Sequence, residues 1–124
     1  HSGIHSLLDA VMRDRRFILV LLDNSITAMT GMQPTPESGN SLTGTGTPVT
    51  IPELLKACGI GWTREVDPYR IPEMMEQLRD ASEYVKSPEG GVAVLWVRRP
   101  CIIYAKSQGM LETFFPRMKV TEHC

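Results

Sequence analysis

The feature that most restricts the fold is an uninterrupted apolar run, FILVLL at residues 17–22, which ends on Asp23 and Asn24. An apolar run without polar alternation is typical of a strand that is covered on both faces, as in parallel sheets. The run is too short to cross a bilayer, which needs about 20 apolar residues in a helix. It therefore predicts a buried strand in a layered α/β domain.

Helical and strand-like patterns alternate along the rest of the chain. Apolar residues recur at helical spacing in some stretches and form short, strand-length runs in others. Helices are predicted over residues 4–12, 50–57 and 71–85, and strands over residues 17–22, 62–66 and 92–97. The sequence TIPE at residues 50–53 matches a capping box with proline in the first turn, and Gly59 is placed to end the same helix.

The order of these elements predicts the fold class. Helices between the strands indicate an α/β fold, in which a parallel sheet carries helices on both faces. A chain of 124 residues suffices for one domain, so residues 1–124 are interpreted as a single unit. An α/β unit normally opens on a strand, whereas this chain opens on a helix. We therefore expect the first strand to precede His1.

Charge and cysteine content exclude several classes of protein. The formal net charge of −1 gives no electrostatic footprint for binding nucleic acid or an anionic membrane. No charged segment is followed by an apolar one, so no signal peptide is predicted. Cys58, Cys101 and Cys124 are widely spaced and match neither a disulfide framework nor a metal-binding motif. A reduced, cytoplasmic environment is the expectation.

Residues 24–50 show neither helical spacing nor strand alternation and are rich in glycine, proline, serine and threonine. Such a composition is typical of flexible linkers. The segment lies between two buried elements, however, and it begins at the end of a strand, where open α/β sheets bind ligands. Its oxygen donors and glycines suit a phosphate with Mg²⁺. Spacing alone leaves both interpretations open.

Three segments together resemble a known family: HSGI before a helix, the strand FILVLLDN, and the following SITAMTGMQPTP. They are similar to the C-terminal thiamine diphosphate-binding domain of the 2-oxoacid:ferredoxin oxidoreductases, most of all to the α subunits of the indolepyruvate branch. IPELLKACGI and the strand ending in VRRPC are compatible with the same fold, so the resemblance covers nearly the whole chain. The DN pair and TAMTG.QP are its specific parts.

The resemblance implies a cofactor site directly after the apolar strand. In the family pattern, Mg²⁺ is bound by the Asp of a Gly-Asp-Gly-like triplet, by the side chain of the second residue of the pair, and by a carbonyl two residues later. The last two correspond to the Asn24 side chain and the Ile26 carbonyl, whereas the triplet would precede His1. The implied thiamine diphosphate-binding residues are Asn24, Ile26, Thr27, Ala28, Met29, Thr30 and Gly31.

Several of these residues also have a plainer interpretation. Asn24 alone could begin a turn, and the hydroxyls of Thr27 and Thr30 could bond to the backbone of their own loop. Met29 could fill a packing gap. The resemblance places His1 at the lip of the site, where it would be the catalytic residue that transfers protons. As the first residue of the chain, His1 could equally be frayed.

The resemblance further implies a parent enzyme that oxidatively decarboxylates a 2-oxoacid, such as indolepyruvate or another aryl pyruvate, to an acyl-CoA with ferredoxin as acceptor. Its other parts would be an N-terminal pyrimidine-binding domain, a β subunit, coenzyme A, and [4Fe–4S] clusters in a ferredoxin-like module toward which residues 117–124 lead. The chain alone is expected to be inactive. A thiamine-dependent decarboxylase of non-redox type and a non-catalytic domain that kept the fold are the alternatives.

Overall fold

The computed structural model describes residues 3–41, 43–115 and 120–122. Helices and strands alternate along these residues, and two short helices follow the last strand. In chain order the elements are α1 (Ile4–Met12), β1 (Ile18–Asp23), a 3₁₀ turn (Pro36–Ser38), β2 (Asn40–Ser41), β3 (Gly44–Thr45), α2 (Ile51–Ala57), β4 (Trp62–Val66), α3 (Ile71–Lys86), β5 (Ala93–Arg98), α4 (Ile102–Ser107) and α5 (Leu111–Phe114).

Three parallel strands form the main sheet in the order β1-β5-β4, so β5 is the central strand. Ala93, the first residue of β5, lies opposite Ile18 of β1 on one side and Trp62 of β4 on the other. Parallel neighbours need a crossover connection, and α3 provides it between β4 and β5. The predicted α/β class with a parallel sheet is confirmed.

Hydrophobic clusters cover both faces of the sheet. On one face, α1 and α2 pack against β1 and β5, and Leu55 and Val94 are buried at the contact. On the other face, α3 packs against β4 and β5, with Ala81 and Leu95 fully buried. Complete burial of a leucine side chain stabilises a fold by about 1.5–3 kcal/mol. The predicted placement of helices on both faces is therefore confirmed. The core consists of one hydrophobic cluster on each face of the sheet.

The boundaries of α2 follow from its sequence. The Thr50 side chain accepts a hydrogen bond from the Glu53 N–H (3.4 Å), and its hydroxyl donates to Glu53 Oε2 (2.5 Å). A threonine cap of this kind stabilises a helix by about 1 kcal/mol. At the other end, Gly59 has a φ of 84°, a conformation that glycine adopts without strain. Both predicted boundaries of the helix are confirmed.

The prediction that the first apolar run is covered on both faces is wrong. In β1 the side chains of Val20 and Leu22 are 43% and 78% exposed. Among the described residues β1 is an edge strand, and α3 packs across β4 and β5, reaching Ile18 at the start of β1 but not covering the rest of that face. The apolar run that becomes the central strand β5 is buried, as predicted, with Val94 and Leu95 fully enclosed.

Short elements account for the other differences from prediction. The segment expected to be irregular contains the 3₁₀ turn and the antiparallel pair β2–β3, in which Asn40 lies opposite Thr45. The sequence pattern predicts neither α4 nor α5. Helices of six and four residues are too short to show a period, and their stability comes from packing. In α4 this packing is provided by Ala105, which is fully buried.

Cysteine and membrane predictions can be compared with the described residues. Cys58 is buried and Cys101 is half-buried, and both are free thiols. Cys124 lies outside the described residues. No helix within residues 3–41, 43–115 and 120–122 is long and apolar enough to span a membrane.

The turn between α3 and β5 depends on Gly90. A Cβ atom there would lie well inside van der Waals contact with the Tyr84 carbonyl oxygen, and 3.0 Å from the Ser87 carbonyl oxygen. Both are backbone atoms that accept hydrogen bonds within the turn, so neither can move aside cheaply. We expect Gly90→Ala to lower the free energy of unfolding by about 1–3 kcal/mol in urea denaturation.

Gly91→Ala is the matched control, because its nearest contact would be the Tyr84 hydroxyl at an ordinary distance of 3.7 Å. Equal free energies of unfolding for the two alanine variants would contradict the prediction.

Candidate functional site

A groove of about 400 Å³ opens between α1, β1 and α2. Its apolar walls are formed by Leu7, Leu19, Leu21, Leu54 and Leu55. Polar groups line it where Asp23 and Asn24 end the first strand, together with Glu37 of the 3₁₀ turn. An apolar groove with a few polar groups is the usual form of a small-molecule site. Its position at the carboxyl end of β1 is where open α/β sheets bind ligands.

The backbone of Asn24 is held by the neighbouring strand, whereas its side chain is exposed. The Cys101 N–H donates to the Asn24 carbonyl at 2.9 Å, just beyond the paired residues of β1 and β5. Ser25 then has a left-handed φ of 68°, which turns the chain away from the strand direction. The Asn24 side-chain oxygen accepts a long hydrogen bond of 3.3 Å from the Ile26 N–H. Asn24 and Ile26 both line the groove.

The next residues form a small closed loop. Thr27 and Gln33 exchange two backbone hydrogen bonds of 3.1 and 3.2 Å. The Thr30 hydroxyl donates to Gln33 Oε1 at 2.6 Å, and Gly31 completes the turn with a φ of 114°. The Thr30 hydroxyl thus bonds within its own loop, as in its plainer interpretation.

The predicted site residues fall into three groups. Asn24 and Ile26 lie in the groove. The closed loop holds Thr27, Ala28, Met29, Thr30 and Gly31, which do not line the groove. Met29, near the tip of that loop, is 99% exposed. His1 lies outside the described residues, and its role stays a prediction.

Asp23 is the centre of a polar network, here called the Asp23 network, that also includes Trp96, Arg98 and Glu37. Asp23 Oδ1 accepts from the Ser25 N–H at 2.7 Å, and Oδ2 accepts from the Trp96 indole N–H at 3.0 Å. Arg98 Nε lies 3.4 Å from Asp23 Oδ2, and Arg98 Nη2 lies 3.8 Å from Glu37 Oε2. The guanidinium also stacks over the Trp96 ring at 4.7 Å. Both carboxylate oxygens of Asp23 are therefore engaged within the protein.

The Asp23 network is not predicted by any local pattern of the sequence. Its members come from two strands and a loop that are far apart in the chain, so no local spacing connects them. One signal was available: Asp23 and Arg98 each follow directly on a predicted apolar strand. Because the carboxyl ends of parallel strands meet at one edge of the sheet, two such residues of opposite charge are expected to meet there.

Comparison with known proteins decides the family. The family described as "Thiamine pyrophosphate enzyme, C-terminal TPP binding domain" matches residues 1–96, a span that includes the groove and the closed loop. The chain belongs to this family. The resemblance inferred from the DN pair and the segment after it is thereby confirmed.

Relatives of this thiamine pyrophosphate-binding domain bear a common name. "Indolepyruvate oxidoreductase subunit IorA" of Archaeoglobus fulgidus is 38% identical over 125 residues, covering 100% of the chain and 19% of that relative. The proteins of the same name from Pyrococcus abyssi and Methanothermobacter marburgensis are each 38% identical, covering 87% and 83% of the chain and 16% of either relative. The chain spans less than a fifth of the length of these curated relatives.

Glu37 links several elements of the thiamine pyrophosphate-binding domain. Burial raises the pKa of Glu37 above its ordinary value, and the neighbouring Asp23 raises it further through its charge and a shared hydrogen bond. Arg98 and the backbone N–H of Ile51 act in the opposite direction. The ion pair with Arg98 joins the 3₁₀ turn to the end of β5, and Ile51, the first residue of α2, lines the same groove as Glu37.

A second cluster holds the other side of the same sheet edge. Arg99 Nη1 lies 2.5 Å from Asp67 Oδ2, and the guanidinium lies 3.8 Å from the centre of the Tyr69 ring and 4.9 Å from that of Phe115. Burial acts to raise the pKa of Asp67, but the Tyr69 N–H and the Arg99 cation outweigh it, so the pKa is lowered. The cluster ties the residues after β4 and β5 to the end of α5.

The lowered pKa of Asp67 predicts a pH-dependent contribution to stability. A carboxyl group whose pKa is lower in the folded state stabilises the fold above its unfolded-state pKa, and this contribution is lost as the pH falls through the folded-state pKa. We expect Asp67→Asn to lower the free energy of unfolding by about 1–3 kcal/mol near pH 7. The difference from the unsubstituted protein should begin to shrink below the unfolded-state pKa of about 4 and should disappear as the pH falls through the lower folded-state pKa of Asp67.

Urea denaturation near pH 7 and again below about pH 4 measures the free energy of unfolding of both proteins. Asp9→Asn is the matched control, because Asp9 forms an exposed ion pair with Arg13, which contributes about 1 kcal/mol or less. A destabilisation by Asp67→Asn that stayed constant between the two pH values would contradict the assignment.

Proposed function

We propose that this domain binds thiamine diphosphate together with Mg²⁺, and that Asn24 and the Ile26 carbonyl are its metal ligands. The observation that carries the proposal is that Asn24 and Ile26 both line a groove at the carboxyl end of β1, in a domain that belongs to a thiamine pyrophosphate-binding family. When bound, the cofactor supplies the carbanion and the electron sink for chemistry on 2-oxoacids.

The donor set suits Mg²⁺. This ion prefers oxygen ligands, keeps several waters and commonly completes its shell with phosphate oxygens. Asn24 Oδ1 and the Ile26 carbonyl are oxygen donors, and no hydrogen bond to that carbonyl comes from the described part of the chain. Within the same residues, no three His, Cys, Asp or Glu side chains gather to hold a metal by themselves. A metal in this groove would therefore depend on the diphosphate as well as on the protein.

The chain supplies binding and orientation around the cofactor. Gly3 precedes α1, Ile4 begins it, and both line the groove, so the N–H groups of the first helical turn, which have no partner within the helix, would be available to an anionic diphosphate. The apolar walls would contact the less polar parts of the cofactor. Residues 27–31 of the closed loop would contact the cofactor from the side of Ile26, and His1 would transfer protons at the lip of the site.

We assign the parent protein to the oxidative decarboxylation of a 2-oxoacid, with an aryl pyruvate such as indolepyruvate as the substrate and an acyl-CoA as the product. Support comes from the relatives, which are named indolepyruvate oxidoreductase and designated a subunit. These names favour the redox enzyme over a non-redox decarboxylase. Ferredoxin, [4Fe–4S] clusters, coenzyme A, a pyrimidine-binding domain, a β subunit and a cytoplasmic location belong to the same proposal.

Replacement of the proposed metal ligand tests the proposal. We expect Asn24→Ala to weaken the binding of thiamine diphosphate at saturating Mg²⁺ by at least about tenfold, because one of the two oxygens that the described residues would offer to the metal is removed. Isothermal titration calorimetry measures the dissociation constant.

Asn40→Ala is the matched control, because Asn40 is the other asparagine of the chain and lies exposed in β2, away from the groove lining. Equal affinity of the Asn24→Ala and Asn40→Ala variants would rule out Asn24 as a ligand.

A further inference from the structure

We propose that Arg98 and Glu37 are positioning residues of the cofactor site, which hold the loop from Asn24 to the 3₁₀ turn in its metal-binding conformation. This role rests on the proposed function, since it assumes that Asn24 and Ile26 bind the metal of thiamine diphosphate. Arg98 does not line the groove and would not touch the cofactor, whereas Glu37 lines the groove beside Asp23. Both would act through Asp23, the residue that precedes Asn24.

Asp23 is suited to orient Asn24. Its Oδ1 accepts from the Ser25 N–H and its Oδ2 accepts from the Trp96 indole N–H, at 2.7 and 3.0 Å. The first of these bonds spans Asn24 and fixes the turn that begins there. The second ties the turn to a side chain of the central strand. Both carboxylate oxygens of Asp23 thus fix the turn on either side of Asn24.

Arg98 supplies the charge that keeps Asp23 in this position. Its guanidinium lies between the carboxylates of Asp23 and Glu37, 3.4 and 3.8 Å from the nearest oxygen of each. The guanidinium carbon also lies 4.7 Å from the centre of the Trp96 ring, a cation–π contact that further limits its position. Arg98 therefore connects the central strand to the start of the loop and to the turn in the middle of it.

Glu37 closes the loop on itself. Its carboxylate lies 3.8 Å from Arg98 Nη2, and Arg98 Nε lies 3.4 Å from Asp23 at the start of the segment. Beside Glu37, the Val49 N–H donates to the Pro36 carbonyl at 3.0 Å and ties the end of the segment to the same turn. Fixing the backbone of a loop costs conformational entropy, so contacts that join its start, middle and end reduce the cost that ligand binding must meet.

Metal binding is sensitive to this kind of support. Mg²⁺ demands nearly octahedral geometry with short metal–oxygen distances, so its protein ligands must be placed closely. Replacing a residue that orients a metal ligand without binding the metal typically lowers metal affinity by about 10- to 100-fold. The Asp23 network is the contact that fixes the turn carrying Asn24 and Ile26, and we expect an effect of that size.

The test compares two measurements on the purified protein. Hydrogen–deuterium exchange of residues 24–41, without ligand, reports whether the loop is held. Calorimetric titration with thiamine diphosphate at saturating Mg²⁺ reports the affinity. We expect Arg98→Ala to increase exchange in the loop and to weaken binding by about 10- to 100-fold, with Arg98→Lys between this variant and the unsubstituted protein.

Arg64→Ala is the matched control, because Arg64 also stacks on a tryptophan of the sheet, 5.1 Å from the Trp62 ring, but lies outside the groove. The Arg64→Ala variant should change neither the exchange nor the affinity.

Thermal unfolding followed by circular dichroism identifies a variant that fails to fold. If Arg98→Ala does so, Glu37→Ala replaces it. Glu37→Gln is then the conservative partner, because an amide keeps the size of the side chain and its oxygen can still accept from Arg98, and the affinity of this variant should stay within about threefold.

The outcomes separate the two proposals. If the unsubstituted protein binds no thiamine diphosphate, the proposed function is wrong, and the positioning role of Arg98 and Glu37 is wrong as well. If the unsubstituted protein binds and a folded Arg98→Ala or Glu37→Ala variant binds equally well, only the positioning role is overturned. Weaker binding without increased exchange in the loop also overturns it, because the effect would then not pass through loop order.

Discussion

Two consecutive arginines at the end of the central strand hold together the carboxyl edge of the sheet. Arg98 pairs with Asp23 at the end of β1, and Arg99 pairs with Asp67 directly after β4. Each arginine also stacks on an aromatic ring, which limits the orientations of its guanidinium. The ends of all three parallel strands are thereby joined by charge as well as by backbone pairing. The candidate site depends on this edge, because it begins where β1 ends.

The site combines a rigid side with a side made of loop. The Cys101 N–H donates to the Asn24 carbonyl just past the ends of β1 and β5. The backbone of Asn24, the proposed metal ligand, is therefore held by the sheet. Ile26 and the residues after it belong to the loop, which is held by Glu37 and by its own internal hydrogen bonds. A cofactor bound across both sides would join the loop to the sheet, so binding and loop order are expected to reinforce one another.

Much of the fold could be predicted from local patterns. The capping residues of α2, the stripe of α3 and the apolar run of β5 each involve neighbours in the chain, and the structure confirms all three. The degree of burial of β1 could not be predicted in this way. Its apolar run resembles that of β5, but burial depends on which strand lies in the middle of the sheet, and β1 leaves Leu22 exposed at the edge.

The sequence by itself determined the α/β class, because the periodicity of apolar residues is a property of neighbours in the chain. The two oxygen donors proposed for the metal came from the resemblance of the DN pair and the segment after it to the family, since spacing alone left a linker equally open. Only the tertiary structure decided which side chains hold the turn that carries the two oxygen donors. Asp23 and Trp96 are 73 residues apart in the chain, and their contact exists because the parallel register of β1 and β5 brings the two strand ends together. A register shift of one residue would turn these side chains to opposite faces, and local sequence does not specify that register.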